Sequence, residues 1–381
     1  MRELNIAFVR VLFVILASLT GSVGRVYAAA DPASSTYQID PAHDGAISFS
    51  KPFAPPLKMR WSVNLGAPVS YPVVAGNLAI VLANAKNLPM TALNITTGKT
   101  AWRKAVLGGY FPGSYLAYDN GTVFVATAFE PLQAFKAPSG AFLWVSKQFQ
   151  SFSDFVPVAA YGYVYGGGDG TGTTLYRLDE KTGAESWVRS QGEGGGSGGT
   201  LGGGTLYFPV QCYIPAYTSF SGKQIWGTSP GCGSGVGGIA AYHDGRLYGP
   251  NLEAGIVLDS KSGKLLSGMG GYPTPALYKQ VMYTIAGVSL VASDIGTGNV
   301  KWFFQPQDPI EIPPIVINGN VYSLSSKGTL YVNDGRTGTL LQSLKVCATA
   351  SSSESSHYVG LGAGENTLLV PCGNSLVAFR P

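Results

Sequence analysis

A short unit recurs seven times along this chain and constrains its fold more than any other feature. In its first copy, Ala92 to Trp102, an apolar strand runs into a Thr-Gly turn, and the next strand carries Trp102 four residues after Gly98. The turn glycines of the copies are Gly98, Gly140, Gly183, Gly222, Gly263, Gly298 and Gly338, and their tryptophans are Trp102, Trp144, Trp187, Trp226 and Trp302. A period of about 40 residues indicates stacked units that share one continuous core.

The number of units follows from the hairpins that open them. Eight predicted hairpins span residues 72–83, 115–127, 156–166, 201–210, 239–249, 276–285, 314–324 and 359–372, with turn signals such as Asp119-Asn-Gly121. Only seven lead into a Thr/Ser-Gly turn, because the eighth ends in a third strand, Leu376 to Pro381. An isolated strand with Trp61 precedes the first hairpin. We therefore predict an all-β, eight-bladed β-propeller over residues 59–381, with four antiparallel strands per blade.

In this propeller the Trp61 strand completes the last blade and closes the ring, which removes the exposed sheet edges of an open array. Glycine permits positive φ at the turn between the third and fourth strands. An amide or carboxylate four residues earlier is placed to cap that turn, at Asn94, Asp179, Asp259, Asp294 and Asp334. We expect all six tryptophans to pack against the neighbouring blade rather than to form a ligand platform.

The N-terminus has the features of an export signal. Arg2 and Arg10 precede or flank an apolar stretch, Val11 to Leu19, and a small-residue segment ends at Ala30. We predict a signal peptide over residues 1–30, cleavage near Ala28 or Ala30, and a secreted or periplasmic protein. The apolar stretch is shorter than the roughly 20 residues that span a bilayer. Residues 31–58 are predicted to form an extended arm, in which His43 is expected to be solvated rather than a ligand.

Charge argues against a nucleic-acid partner. Residues 1–30 hold three Arg and one Glu, so 22 basic and 20 acidic residues remain after their removal, a net charge of +2. A balance this close to neutral does not favour nucleic acid or an acidic membrane surface. We expect a monomer.

Units of the form Ala-x-Asp-x-x-Thr-Gly-x-x-x-Trp resemble the tryptophan-docking repeats of the pyrroloquinoline quinone propeller superfamily. The resemblance covers residues 59–381. That superfamily includes quinoprotein alcohol and glucose dehydrogenases, the outer-membrane-protein assembly lipoprotein, and many secreted propellers without an established activity. The fold does not choose among these functions.

The sequence departs from the dehydrogenase members of that superfamily. Alcohol dehydrogenases have an adjacent cysteine pair over the quinone and a Ca²⁺ held by Glu, Asn and Asp, whereas this chain has no adjacent cysteines and no Cys-x-x-Cys-His haem site. Asp169, Glu253 and Asp308 are candidate Ca²⁺ ligands, although scattered loop acids are usually solvated. We therefore expect no catalytic residue, cofactor or metal. A quinone- and Ca²⁺-dependent dehydrogenase of alcohols or sugars is the alternative.

The cysteines predict two disulfides. Cys212, Cys232, Cys347 and Cys372 allow three pairings in an exported chain. A disulfide requires Cα atoms within roughly 7 Å, and blades 4 and 8 lie on opposite sides of the predicted ring. Pairing within each neighbourhood, Cys212 with Cys232 and Cys347 with Cys372, satisfies this limit. Metal ligation is the weaker alternative, because no two cysteines are close in sequence.

The long loops of the predicted propeller share one face. They span residues 85–89, 149–155, 166–173, 191–199, 213–216, 305–313 and 348–357. Loops on a rigid scaffold commonly carry binding residues. The candidate binding face comprises Phe149, Phe152, Phe155, Asp169 and Tyr213, although the phenylalanines would equally fill gaps between blades. The glycine-rich run from 192 to 199 is interpreted as a flexible loop rather than a phosphate site.

The sequence therefore favours a secreted, non-catalytic binding or scaffolding module for a protein or glycan partner. A role in outer-membrane protein assembly is a further alternative, disfavoured because no lipid-anchor cysteine lies near the cleavage region.

Overall fold

The computed structural model describes residues 31–85, 87, 89–108, 114–127, 130–147, 155–167, 174–190, 198–210, 213–229, 238–249, 255–271, 274–350 and 359–381. Within these ranges the chain forms 33 strands and no helix. It follows that no helix in the described part is long and apolar enough to cross a membrane.

Eight antiparallel sheets form the blades of the molecule, and in seven of them four consecutive strands are ordered from the inside outwards. Blade 1 contains β3 (Val73–Ala75), β4 (Leu78–Leu82), β5 (Pro89–Asn94) and β6 (Thr100–Ala105). Blade 2 contains β7 (Ser114–Asp119), β8 (Thr122–Thr127), β9 (Gln133–Lys136) and β10 (Phe142–Val145). Blade 3 contains β11 (Val158–Ala160), β12 (Tyr163–Gly167), β13 (Thr174–Asp179) and β14 (Glu185–Ser190). Blade 4 contains β15 (Thr200–Gly202), β16 (Thr205–Tyr207), β17 (Ile214–Thr218) and β18 (Gln224–Thr228).

The second half of the chain continues this pattern until the last blade. Blade 5 contains β19 (Ala241–His243), β20 (Arg246–Gly249), β21 (Ile256–Asp259) and β22 (Leu265–Gly268). Blade 6 contains β23 (Ala276–Tyr278), β24 (Val281–Ala286), β25 (Ser289–Asp294) and β26 (Val300–Phe304). Blade 7 contains β27 (Ile310–Ile317), β28 (Asn320–Ser325), β29 (Thr329–Asp334) and β30 (Leu340–Lys345), and β1 (Ala46–Ile47) adds a parallel strand at its inner edge.

The last blade joins the two ends of the chain. It contains β31 (Gly362–Gly364), β32 (Thr367–Cys372), β33 (Ser375–Arg380) and, as its outer strand, β2 (Lys58–Asn64). Trp61 in β2 pairs with Ala378 in β33. The predicted eight-bladed ring, closed by the Trp61 strand, is therefore confirmed.

Burial within a blade follows the position of the strand. All five residues of β4 are buried, because both faces of a second strand pack on neighbouring blades. The outer strand β6 buries only Trp102. This gradient places the hydrophobic core between blades and leaves the outer strands largely solvated.

The tryptophan of one blade docks on the turn of the next. Each indole Nε1–H donates to a backbone carbonyl of that turn, as Trp61 does to Ile95 at 3.0 Å. The same bond joins Trp102 to Ala137, Trp144 to Glu180, Trp187 to Ser219, Trp226 to Ser260 and Trp302 to Gly335. The tryptophans therefore lock adjacent blades together, as the sequence predicts.

The turn glycine is required by this docking as well as by its backbone conformation. A Cβ built on Gly183 would lie 2.7 Å from the Trp144 ring. Gly183 also has a positive φ of 68°. Open space surrounds the corresponding position of Gly298. The reason is that blade 5 carries Ser267 at the position where six blades carry tryptophan.

Blades 7 and 8 are joined by a different contact, because the split last blade has no turn between its third and fourth strands. Gln342 occupies the tryptophan position there. Its side chain binds the backbone of Leu57, accepting from the Leu57 N–H at 2.8 Å and donating to the Leu57 carbonyl at 3.2 Å. The amide thus fixes the chain where it enters the closing strand.

Polar caps form at the turns where the sequence places them. Asp334 Oδ1 accepts from the Thr337 N–H at 2.7 Å and the Arg336 N–H at 3.0 Å. The hydrogen bond from Thr337 lowers the pKa of Asp334. Asn94, Asp179, Asp259 and Asp294 make equivalent bonds. A further bond from Lys301 lowers the pKa of Asp294 to about 2.

One predicted disulfide is present in the described residues. Cys347 follows β30 of blade 7 and Cys372 ends β32 of blade 8, and the two are bonded with their Cα atoms 5.9 Å apart. The local pairing of these two cysteines is confirmed. Cys212 and Cys232 lie outside the described residues, so their pairing stays a prediction.

Candidate functional site

The N-terminal arm, residues 31–57, lies inside the ring rather than along its surface. The first strand of each blade is innermost, and these strands surround the axis of a propeller. Backbone carbonyls of the arm accept hydrogen bonds from inner-strand amides of Val74, Tyr118, Leu201, Tyr242, Leu277 and Val316, at 2.6 to 2.8 Å. In blade 8 the Ala363 N–H donates to the Ser34 hydroxyl at 2.7 Å. The arm therefore follows the blades around the axis.

The two ends of this path meet. Asp31 Oδ1 accepts from the Ser50 N–H at 2.9 Å, and the Ser50 hydroxyl donates to Asp31 Oδ2 at 3.2 Å. Between these residues the arm passes blades 8, 1 and 2, then 4 to 7 in order. The result is a nearly complete circle of chain within the circle of blades.

Between blades 2 and 4 the arm turns away from the ring towards the axis. The Ser35 N–H donates to the Ile39 carbonyl at 2.6 Å, and both Gln38 and Ile39 have positive φ, 50° and 75°. This turn directs Gln38 across the channel, where its Nε2 donates to the Thr274 and Pro314 carbonyls at 3.3 and 3.1 Å. Blades 6 and 7 are thereby connected to the arm segment that left blade 2.

His43 follows this turn and is buried, so the expectation that it is solvated is wrong. Its side chain is 0% exposed. The ring nitrogens Nδ1 and Nε2 lie 2.7 Å from the Tyr37 carbonyl and 2.9 Å from the Gly199 carbonyl. Burial lowers the pKa of His43. Sequence reasoning missed this position because its partners are backbone atoms, which leave no side-chain pattern.

Blade 3 is the exception to the regular contact between arm and blades. Its equivalent inner-strand residue is Ala159, which is 3% exposed, and its N–H has no acceptor among the described residues. The arm reaches blade 3 elsewhere, through the Thr36 hydroxyl, which donates to the Pro157 carbonyl at 3.0 Å. Above Ala159 the space between arm and ring is left open.

This open space is a cavity of about 520 Å³. Its walls are the arm at Asp40 and Pro41, the blade 2 turn at Asp119 and Asn120, and the blade 3 turn at Tyr161. These turns join first and second strands, so the cavity opens on the face with short turns, opposite the predicted long-loop face. No sequence motif marks it.

The cavity is acidic. Burial and the nearby charge of Asp44 raise the pKa of Asp40 to about 7. Behind the wall, Glu180 is 3% exposed, and burial together with Asp119 raises its pKa to about 8. The Asn120 side-chain amide donates to both Asp119 and Glu180, at 3.2 and 3.3 Å. One neutral amide thus bridges two carboxyl groups.

The candidate residues of the predicted long-loop face are not brought together as an exposed rim in the described part. Phe155 is 0% exposed and packs against Phe208, with ring centroids 5.6 Å apart. Tyr213 is half-buried and its hydroxyl accepts a hydrogen bond from Gln224 at 2.5 Å. Phe155 therefore fills a gap between blades, the alternative that the sequence left open. Phe149, Phe152, Asp169 and Glu253 lie outside the described residues.

Of the candidate Ca²⁺ ligands of the dehydrogenase alternative, the structure describes only Asp308. The described residues contain no group of three or more His, Cys, Asp or Glu side chains placed to hold a metal ion. Asp308, a candidate ligand, is paired with Lys327 at 3.3 Å and with the Thr329 hydroxyl at 3.2 Å. Along the axis, Tyr37, Gln38, Ile39 and His43 are each at most 2% exposed.

Comparison with known sequences finds a family that is similar to part of the chain. The family described as outer membrane protein assembly factor BamB matches residues 91–208, which extend from the third strand of blade 1 into blade 4. A search of curated proteins gives no match.

Solved structures share the architecture over most of the chain. A europium-containing methanol dehydrogenase aligns with a TM-score of 0.75 and 15% identity, covering 92% of this chain and 98% of that chain. The quinohemoprotein alcohol dehydrogenase from Comamonas testosteroni aligns with a TM-score of 0.71 and 15% identity, covering 93% and 81%. BamB from Moraxella catarrhalis aligns with a TM-score of 0.62 and 15% identity, covering 85% and 98%. At this level of identity the likeness is one of fold.

Proposed function

We propose that this chain, a β-propeller of the pyrroloquinoline quinone-like superfamily, is an exported, non-catalytic binding or scaffolding module. The observation that carries the proposal is the position of the N-terminal arm. Residues 34–47 bind backbone groups of every blade. A cofactor at the axis would have to displace this buried segment.

The arrangement suits a rigid scaffold. Six tryptophan contacts join successive blades, and the arm adds a second set of bonds at the centre. Binding residues are commonly placed on loops that such a scaffold holds in position. The partner of the proposed module is a protein or a glycan, and its docking surface is the long-loop face.

Addition of pyrroloquinoline quinone and Ca²⁺ to the purified protein tests the proposal. We expect an unchanged melting temperature, because a ligand that does not bind the native state does not stabilise it. We also expect no dye-linked oxidation of methanol or glucose. A rise of several degrees together with turnover would establish the dehydrogenase instead.

The dehydrogenase stays as the second candidate because of one observation, the alignment that spans 98% of the methanol dehydrogenase chain. The match of residues 91–208 to the BamB family supports a third candidate, a role in outer-membrane protein assembly. Co-purification with envelope assembly proteins is the outcome that would favour this third function.

A further inference from the structure

The cavity beside blade 3 results from a specific interruption in the contact between arm and ring. In seven blades the equivalent inner-strand amide donates to the arm. At blade 3 the arm is turned towards the axis by the bond from Ser35 to Ile39, and it returns to the ring at blade 4, where the Leu201 N–H donates to the Pro41 carbonyl at 2.8 Å. The space that this detour leaves, about 520 Å³, falls in the range of small-molecule pockets.

The polar side chains of this cavity favour a ligand that donates hydrogen bonds over a ligand that accepts them. Asp40 Oδ1 accepts from the Ala42 N–H at 2.9 Å and from the Asp44 N–H at 3.5 Å. Asp119 lines the same space from the opposite wall, and its carboxylate accepts from the Asn120 N–H at 3.0 Å and from the Asn120 side-chain amide at 3.2 Å. None of the residues that line the cavity is Lys, Arg or His. Two carboxylates therefore share a concave site without a compensating cation.

An aromatic side chain completes the site at its rim. Tyr161 lines the cavity and is 79% exposed. It occupies the first position of a two-residue hairpin loop with a positive φ of 59°, where Asn, Asp and Gly are the usual residues. Exposed tyrosine rings pack against alkyl chains and attract cations over their faces.

We propose that the cavity binds an alkylammonium group, with Asp40 and Asp119 accepting its N–H bonds and Tyr161 covering its methylene chain. A metal ion is disfavoured because the described residues provide no group of three ligands around one point. The ammonium group has two sources, a free diamine or a lysine side chain of a partner protein. This proposal concerns the short-turn face and does not depend on the function proposed for the long-loop face.

Isothermal titration calorimetry of the full chain with 1,4-diaminobutane tests the proposal. The titration is done at pH 8, above the raised pKa of Asp40, and at low ionic strength, where charges are least screened. We expect saturable binding of the diamine and none of 1,4-butanediol, its uncharged analogue. Asp40→Asn should weaken the binding at least about tenfold, because a charge-assisted hydrogen bond becomes a neutral one. Asp294→Asn, a turn cap in blade 6, is the matched control and should bind as the wild type does.

A second variant separates binding from folding. Tyr161→Asn places a preferred residue in the hairpin loop, so the melting temperature should be unchanged or higher, while amine affinity should fall about two- to fivefold. If Nα-acetyl-lysine methylamide binds more tightly than the diamine, the ammonium group comes from a lysine side chain of a partner protein. If the diamine binds more tightly, the ligand is a free amine. Binding of butanediol equal to that of the diamine, or full affinity in Asp40→Asn, would overturn the proposal.

Discussion

Each tryptophan of the repeat uses both its ring and its N–H on the same turn of the next blade. The N–H donates to a turn carbonyl, and the ring lies so close to the turn glycine that a Cβ would fall 2.5 to 2.8 Å from it in six blades. The Trp-Gly spacing in the sequence therefore describes a contact between blades, with the glycine of one unit serving the tryptophan of the unit before it.

A comparison of two turn glycines distinguishes the steric cost of a side chain near the tryptophan from the cost of backbone strain. Gly183 and Gly298 have similar positive φ, 68° and 75°, so alanine should cost about 1–2 kcal/mol at either position through backbone strain. Only Gly183 faces a tryptophan. We expect Gly183→Ala to destabilise the protein by about 1–3 kcal/mol more than Gly298→Ala, because the indole must move.

Chemical denaturation of the two variants measures this difference. The double variant Trp144→Ala/Gly183→Ala serves as a control, since removal of the ring should abolish the extra cost of alanine at position 183. Equal midpoints for Gly183→Ala and Gly298→Ala would show that the ring does not restrict the turn.

The strands and the arm differ in how far the sequence predicts them. Each hairpin, turn and outer tryptophan leaves a local pattern, so the blades, their number and the ring closure follow from spacing. The arm leaves only two short apolar alternations, Tyr37 with Ile39 and Ile47 with Phe49, all of which are buried. Most of its bonds to the ring are made by backbone carbonyls, which are the same in every sequence. The cavity at blade 3 depends on the arm and was unpredictable for the same reason.

Removal of residues 31–50 tests the arm as a separate element. The deletion exposes the buried inner-strand amides of seven blades and the apolar contacts of Tyr37 and Phe49, so we expect a large fall in melting temperature. A synthetic peptide of residues 31–50, added during refolding, should restore much of the loss because it binds only the native ring.

A peptide with His43→Ala is the matched control for this rescue. It lacks the ring that contacts the Tyr37 and Gly199 carbonyls, and it should restore less stability than the natural peptide at equal concentration. An unchanged melting temperature after the deletion would mean that the arm is dispensable.

Closure makes the stability of the whole ring depend on one strand. β33 pairs with β32 on one side and with β2 on the other, and Leu376, Val377 and Phe379 within it are at most 2% exposed. The disulfide between Cys347 and Cys372 joins blades 7 and 8 but does not replace these contacts. In an open array, a terminal strand would contribute only to its own repeat.

Truncation after Gly373, which removes β33, distinguishes a closed ring from an open array. Burial of its three large apolar side chains contributes roughly 5–9 kcal/mol at about 1.5–3 kcal/mol each, comparable with the total stability of about 5–15 kcal/mol typical of a folded protein. We expect loss of the cooperative thermal transition and association through the edges of β32 and β2, detected by circular dichroism and size-exclusion chromatography.

Removal of Pro381 alone, which is exposed, should leave both measurements unchanged. A truncated chain that stays monomeric with a cooperative transition would mean that blades 1 to 7 are stable without closure, and that the pairing of the two chain ends is a local feature of blade 8.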